Sequence, residues 1–398
     1  MTRRHDHLQV DIDAEDGRYH RQELISWWDQ ARLARAKVLV VGAGALGNEL
    51  LKNLALLGVG NVVVIDLDSI ENSNLSRCVL FREADEGRYK AEVAAEGARA
   101  LNPALQIGSV VGDVRVDLGL GVFEAADIVL GGLDNREARL HINQSCWKVG
   151  TPWIDGAIEG LLGVMRVFVP PASACYECTM NERDHQAIAV RKSCALLTRE
   201  QMLAGMVPTT ATTASVIAGM QAQEAIKLLH RDRIEADFAG HGFAYNGLTH
   251  DSYVVTYRYR EDCLSHDSYD LTAAESASAA MTFEDLLERA GQHLKDPVLD
   301  LEREIVLAFD CSECGPGDPV RRPVELLSAR SAVCPGCGVD RKPRLTHSVS
   351  ADDEELLALT PADLGLPRFD VITARVGAIR RHFRLEGELD AFEELMHG

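Results

Sequence analysis

Residues 37–77 read KVLVVGAGALGNELLKNLALLGVGNVVVIDLDSIENSNLSR, and this stretch decides the fold. Residues 37–41 form a short β-branched run with no room for a helical stripe, which predicts a buried parallel strand. Gly42-Ala43-Gly44-Ala45-Leu46-Gly47 comes directly after it, and residues 46–57 repeat apolar side chains at helical spacing. Gly42, Gly44 and Gly47 permit a tight turn, close backbone approach to a phosphate and close packing of helix on strand. The helix start offers unpaired N–H groups to an anion. Residues 61–65 are the next strand, and Asp66 ends it nineteen residues beyond Gly47, where a ribose-binding acid belongs. Strand, glycine turn, helix, strand and acid together predict a nucleotide site at the edge of an α/β sheet.

The loop beyond Asp66 separates a dinucleotide from a triphosphate. Residues 66–77, DLDSIENSNLSR, present an Asn and an Arg just past the ribose acid. A dehydrogenase has no evident use for them, whereas Arg forks and Asn amides hold phosphate oxygens. Here the chain resembles the ThiF/MoeB and ubiquitin-activating superfamily, whose signature is a GxGxxG followed by D-x-D-x-(V/I)-x-x-S-N-L-x-R. The resemblance covers residues 18–266. It implies a Rossmann-like doubly wound sheet of the ThiF/MoeB adenylation type, binding ATP with Mg²⁺ through Asp66, Asp68, Asn74, Arg77 and Lys90. It also matches the family's R-Y-x-R-Q at residues 18–22, which implies that Arg21 reaches the nucleotide of a partner subunit, and hence a dimer.

Along the chain, residues 23–36 read as a helix leading into the first strand, and Lys90 opens an Ala-rich helix closed by Asn102-Pro103. Residues 127–131 are another strand, with Asp134 and Asn135 at its carboxyl edge. Ligands of open parallel sheets bind at that edge, so Asp134 is placed for Mg²⁺ on ATP. The family's D-N-x-x-x-R continues to Arg139 and Asn143. Residues 209–229 form a long amphipathic helix with two Thr-Thr pairs, and Asn246-Gly247 marks a hairpin with a return strand at 252–260. The expected organisation is an adenylation domain at 1–266 with a crossover at 175–208, a Ser- and Ala-rich linker at 267–281, and a C-terminal zinc-ribbon domain at 282–398.

The net charge of −20 argues against a nucleic-acid or membrane-surface binder, since no basic block offsets it. Nothing resembles a signal peptide and no run of eighteen apolar residues occurs, so a cytoplasmic, reducing environment is expected. Ten cysteines there point to metal and thiol chemistry rather than disulfides. Cys175 and Cys178 form one CxxC, and Cys263 with His266 a second pair, enough for a tetrahedral zinc. The family has CxxC in both places, so His266 is a departure. Cys311, Cys314, Cys334 and Cys337 form C-x2-C-x19-C-x2-C, a zinc-ribbon spacing. A rival pairing of the first CxxC with one of these later pairs strands the other, which favours two structural zincs. Cys194 lies in Arg191-Lys192-Ser193-Cys194, where adjacent cations favour the thiolate. The family's thioester cysteine lies in the corresponding segment.

The resemblance thus implies an enzyme that adenylates the C-terminal carboxylate of a small ubiquitin-like protein ending in Gly and passes it to Cys194, and then to a conjugating enzyme. Its nearest alternative is a sulfur-carrier adenylyltransferase that makes no thioester. A nucleotide-binding scaffold without chemistry and a dehydrogenase are the remaining readings.

Overall fold

The computed structural model describes residues 17–186, 208–235 and 238–397. Its centre is an eight-stranded sheet built on β1 (Lys37–Val41), with strand order β3-β2-β1-β4-β5-β6-β7-β8. The first five of these strands, β2 (Asn61–Asp66), β3 (Gln106–Val111), β4 (Ile128–Gly131) and β5 (Trp153–Glu159) with β1, pair in parallel. The order reverses between β1 and β4, which makes their carboxyl ends the ligand-binding crevice of such a sheet. Beyond β5 the sheet turns antiparallel through β6 (Leu162–Phe168), β7 (His241–Asn246) and β8 (Asp251–Thr256).

Both faces of β1 are covered, which explains its unbroken apolar run. Val38 and Val40 join one core with α3 (Ala45–Leu57), α4 (Lys90–Leu101) and, further along the chain, the long helix Ala211–Leu229. Leu39 and Val41 join the opposite core with α5 (Leu120–Ala125) and α6 (Arg136–Val149). The helix Ala211–Leu229, here α7, starts two residues later than the sequence suggests because Thr210 caps it, its hydroxyl accepting the Thr213 N–H at 3.3 Å.

The helix expected at 23–36 is two short ones, α1 (His20–Glu23) and α2 (Gln30–Arg35). Between them the rings of Trp27 and Trp28 pack around buried His230, and Asp29 opens α2 by accepting the Arg32 N–H at 3.0 Å. Anchoring two indoles on one ring outweighs helical continuity there. The return strand of the hairpin stops at Thr256 rather than at residue 260.

The C-terminal third forms a second sheet, β11-β10-β13-β14-β9, with β12 on the free edge of part of β10. Residues 267–281 are more than a connection. Tyr269 stacks on His382 at 4.4 Å, and β9 (Glu275–Ala277) pairs in parallel with β14 (Ile379–Leu385). α8 (Phe283–Gly291) opens on a Thr282/Asp285 capping box. β10 (Val298–Asp310) carries both β11 (Pro319–Pro323) and β12 (Lys342–Val349), while β13 spans Val371–Val376. Short α9 (Ala329–Ala332) and α10 (Glu354–Leu357) fill the turns. The last helix, α11 (Ala391–His397), leaves this sheet and lies against β2, β3 and α5 of the first, with Phe392 fully buried there. Arg303 bonds Asp370 at 2.6 Å, and Asp370 in turn accepts the Leu120 N–H, so the two sheets share a polar seam. Among the described residues no helix is long and apolar enough to cross a membrane.

Candidate functional site

The glycine turn leaves the carboxyl end of β1. Gly42 has φ +94°, a left-handed conformation that a side chain would strain, and a Cβ on Gly47 would collide with the Gly42 carbonyl. Gly44 differs: a Cβ there meets nothing within 4 Å. Helix α3 starts at Ala45, so open space lies beside its N-terminus, where an anion is favoured. The turn is held from β2 by Asp66, which accepts the Ala43 N–H at 2.7 Å and the Asp68 N–H at 2.8 Å. Burial lifts the Asp66 carboxyl above its ordinary value, with those two amides pulling the other way.

The loop after β2 brings the remaining sequence-predicted groups to the same edge. Lys90, first residue of α4, donates to Asp68 at 2.7 Å. Burial disfavours its charge, but the bond to Asp68 and the nearby Asp66 and Asp68 charges outweigh that and raise its pKa. Asn74 is buried and its side-chain oxygen accepts the Glu71 N–H at 3.0 Å, so it shapes the loop before it touches any ligand. Arg77 donates to the Ser73 carbonyl at 2.7 Å. Cys78 is buried, which pushes its thiol up to about 11. Asp134, after β4, is exposed and makes no hydrogen bond or ion pair among the described residues. Its loop is fixed by buried Arg139, which bonds the Leu133 carbonyl, the Gly156 carbonyl at 3.1 Å and Asp155 at 2.8 Å.

Asp155 also accepts from Arg166 at 2.6 Å, and it is fully buried. The sequence motifs give Asp155 and Arg166 no role. A carboxylate inside an otherwise apolar strand segment, with an Arg opposite it on the paired strand, is the signal that could have found them.

Arg21 does not approach this edge. It is exposed on α1, whose neighbour Tyr19 accepts from Asn102 at the end of α4, while Asn102 also bonds the Ala55 carbonyl near the end of α3. The thirteen residues of α3 put about 20 Å between that end and the glycine turn. Arg21 therefore has no role at the turn of its own chain.

The structure brings Cys175, Cys178, Cys263 and His266 together, with all four ligand atoms within 4.8 Å of one another. Cys175 lies 3.7 Å from Cys178 and 3.6 Å from Cys263, and His266 Nε2 lies 3.4 Å from Cys178. These spacings exceed a disulfide and match sulfurs on one tetrahedral zinc, about 3.8 Å apart for Zn–S bonds of about 2.3 Å. The hydrogen bond to Cys263 is the main cause holding Cys175 low, at about 5, on the thiolate side that a metal requires. Cys311, Cys314, Cys334 and Cys337 form a second such group. Cys194 lies outside the described residues.

A model of the ThiF family matches residues 18–265. The chain is 40% identical over 168 residues to SUMO-activating enzyme subunit 2 of Dictyostelium discoideum, covering 42% of this chain and 24% of that protein. It therefore spans about a quarter of that relative's length. It is 33% identical to a sulfur carrier protein adenylyltransferase of Thermus thermophilus over 62% of this chain and 89% of that one, and 35% identical to the SAMP-activating enzyme E1 of Haloferax volcanii over 59% and 81%. Among solved structures, Escherichia coli MccB with ATP superposes at a TM-score of 0.53 with 25% identity, covering 64% of this chain and 75% of that one. The match to the family model spans most of the chain and takes in the glycine turn, the loop after β2 and Cys175, Cys178 and Cys263; the chain belongs to the ThiF family.

Proposed function

We propose that the protein activates the C-terminal carboxylate of a small ubiquitin-like or sulfur-carrier-like protein ending in Gly, by joining it to AMP. The observation that supports this most is Asp66 gripping the glycine turn at the carboxyl end of β2, with Lys90 bonded to Asp68 on the loop just beyond it. The open space at Gly44 suits a phosphate. In this reading Asp66 and Asp68 face the ribose, Asn74, Arg77 and Lys90 meet phosphate charge, and Arg21 serves the nucleotide of a second copy, which makes the enzyme a homodimer. Asp134 would hold Mg²⁺, which neutralises charge on the departing pyrophosphate when bound.

A carboxylate oxygen of the carrier attacks the α-phosphorus, the bond to the bridging oxygen breaks, and pyrophosphate leaves with the electron pair. Cys194 thiolate then attacks the acyl carbon and AMP departs, leaving a thioester for a conjugating enzyme. Both cysteine groups hold structural zinc, since four protein ligands leave no open position.

A second reading stops at the adenylate. The 89% coverage of the Thermus adenylyltransferase favours it, because that relative is matched almost end to end. The enzyme incubated with ATP, Mg²⁺ and its carrier, then run on gels with and without thiol, separates the two. A thiol-sensitive adduct that Cys194→Ala abolishes supports the thioester; an adenylate with no adduct supports the second reading.

A further inference from the structure

Positions 136, 139, 143 and 147 of α6 fall on one stripe of the helix, and each grips a different part of the site. Arg136 pairs with Asp184. Arg139 holds the loop carrying Asp134. Asn143 accepts the Tyr176 N–H at 2.8 Å within the first CxxC, and the Trp147 ring stacks on His266 at 4.0 Å. The far side of the Arg136 contact is equally well fixed. Asp184 accepts the Asn181 N–H at 3.0 Å, and the Asp184 and His185 amides return to the Asn181 carbonyl at 3.0 and 3.2 Å. His185 lies 3.8 Å from Glu177, which is buried between the two cysteine pairs and accepts the Ser265 hydroxyl.

Arg136 directly succeeds the candidate nucleotide loop, and Asp184 stands ten residues before Cys194. Two braced parts of the chain therefore meet at this pair of side chains. We propose that the Arg136–Asp184 pair is a positioning link that transmits occupancy of the nucleotide loop to the root of the crossover segment. This rests on reading that loop as a nucleotide site. Arg136 is half exposed, so the pair adds little to stability. Its consequence is geometric.

The test is hydrogen exchange at the Asp184 and His185 amides of the full-length protein, with and without ATP and Mg²⁺, alongside nucleotide affinity. Wild type is expected to gain about threefold or more protection on binding. Arg136→Ala and Asp184→Ala lose that response while affinity stays within about twofold, and the exchanged pair R136D/D184R regains it. A response that persists in both single variants, or that the exchanged pair fails to restore, overturns the link. So does wild type that binds ATP without any change at these amides. An affinity loss confined to Arg136→Ala would make Arg136 a phosphate ligand instead. Failure of wild type to bind ATP removes the nucleotide reading itself, which the affinity measurement registers separately.

Discussion

Lys90 donates to Asp68 at 2.7 Å across the mouth of the glycine turn, with the lysine side chain 13% exposed and the carboxylate 57% exposed. In the proposed reading the ammonium is thus held ready for the phosphates by an acid that water already reaches. Lys90→Ala is expected to weaken ATP binding about tenfold or more, the worth of one charge-assisted hydrogen bond. Asp68→Asn releases the ammonium and should change affinity less than Lys90→Ala does. Titration with a fluorescent ATP analogue measures both, and equal losses would make Asp68 a direct ligand.

Asp66 predicts a pH dependence. Its carboxyl is raised above 3.8 by burial, and a ribose hydroxyl needs the ionised form as acceptor. Nucleotide affinity should therefore fall on acidification at a higher pH than an ordinary aspartate would set. Stability runs the other way. The folded state binds the proton more tightly, so this contribution is complete below 3.8 and is lost as pH rises through the raised value. Asp66→Asn should bind nucleotide weakly with a flatter profile in that window; a variant profile matching wild type would remove Asp66 from the ribose.

Much of the nucleotide edge is legible in the sequence alone. The run at 37–41 is a strand with those same limits, and the turn and acid fall where their spacing put them. Both cysteine groups assemble as paired, including the departure at His266. The C-terminal third is less legible. β11 and β12 alternate poorly because their residues are largely exposed or neighbour the cysteine knuckles. Nothing local in residues 391–397 tells that Phe392 is buried against another sheet rather than its own. Asp155 is hidden for the same reason, its partners being sixteen and eleven residues away in sequence.

The two cysteine groups set an expected metal content. Purified protein should carry two zinc ions per chain, Cys311→Ser one, and Cys175→Ser the other one. Chelation should lower the Tm, since structural zinc contributes folding energy directly. His266→Cys should keep its zinc. Emission spectroscopy reads the stoichiometry, and metal-free protein with an unchanged Tm would contradict both sites.

The docking of α11 can be broken without touching the glycine turn. Phe392 is fully buried, and a Cβ on Gly108 of β3 would collide with the Leu395 carbonyl. Phe392→Ala should cost about 3–5 kcal/mol, the usual cost of emptying a phenylalanine site. Gly108→Ala should destabilise as well, because backbone must move to admit the methyl. Urea unfolding checks both; losses under about 0.5 kcal/mol would place them with ordinary surface changes and make α11 a loosely held tail.

In the proposed function, the step on which all others depend is the joining of a carboxyl end to AMP beside the glycine turn. ATP–pyrophosphate exchange, run with Mg²⁺ and a glycine-ended carrier protein encoded beside this chain, measures that step alone. Exchange is expected to depend on the carrier, to be nearly abolished by Arg77→Ala, and to survive Cys194→Ala. Exchange absent from wild type with every such carrier, or unaffected by Arg77→Ala, would contradict it.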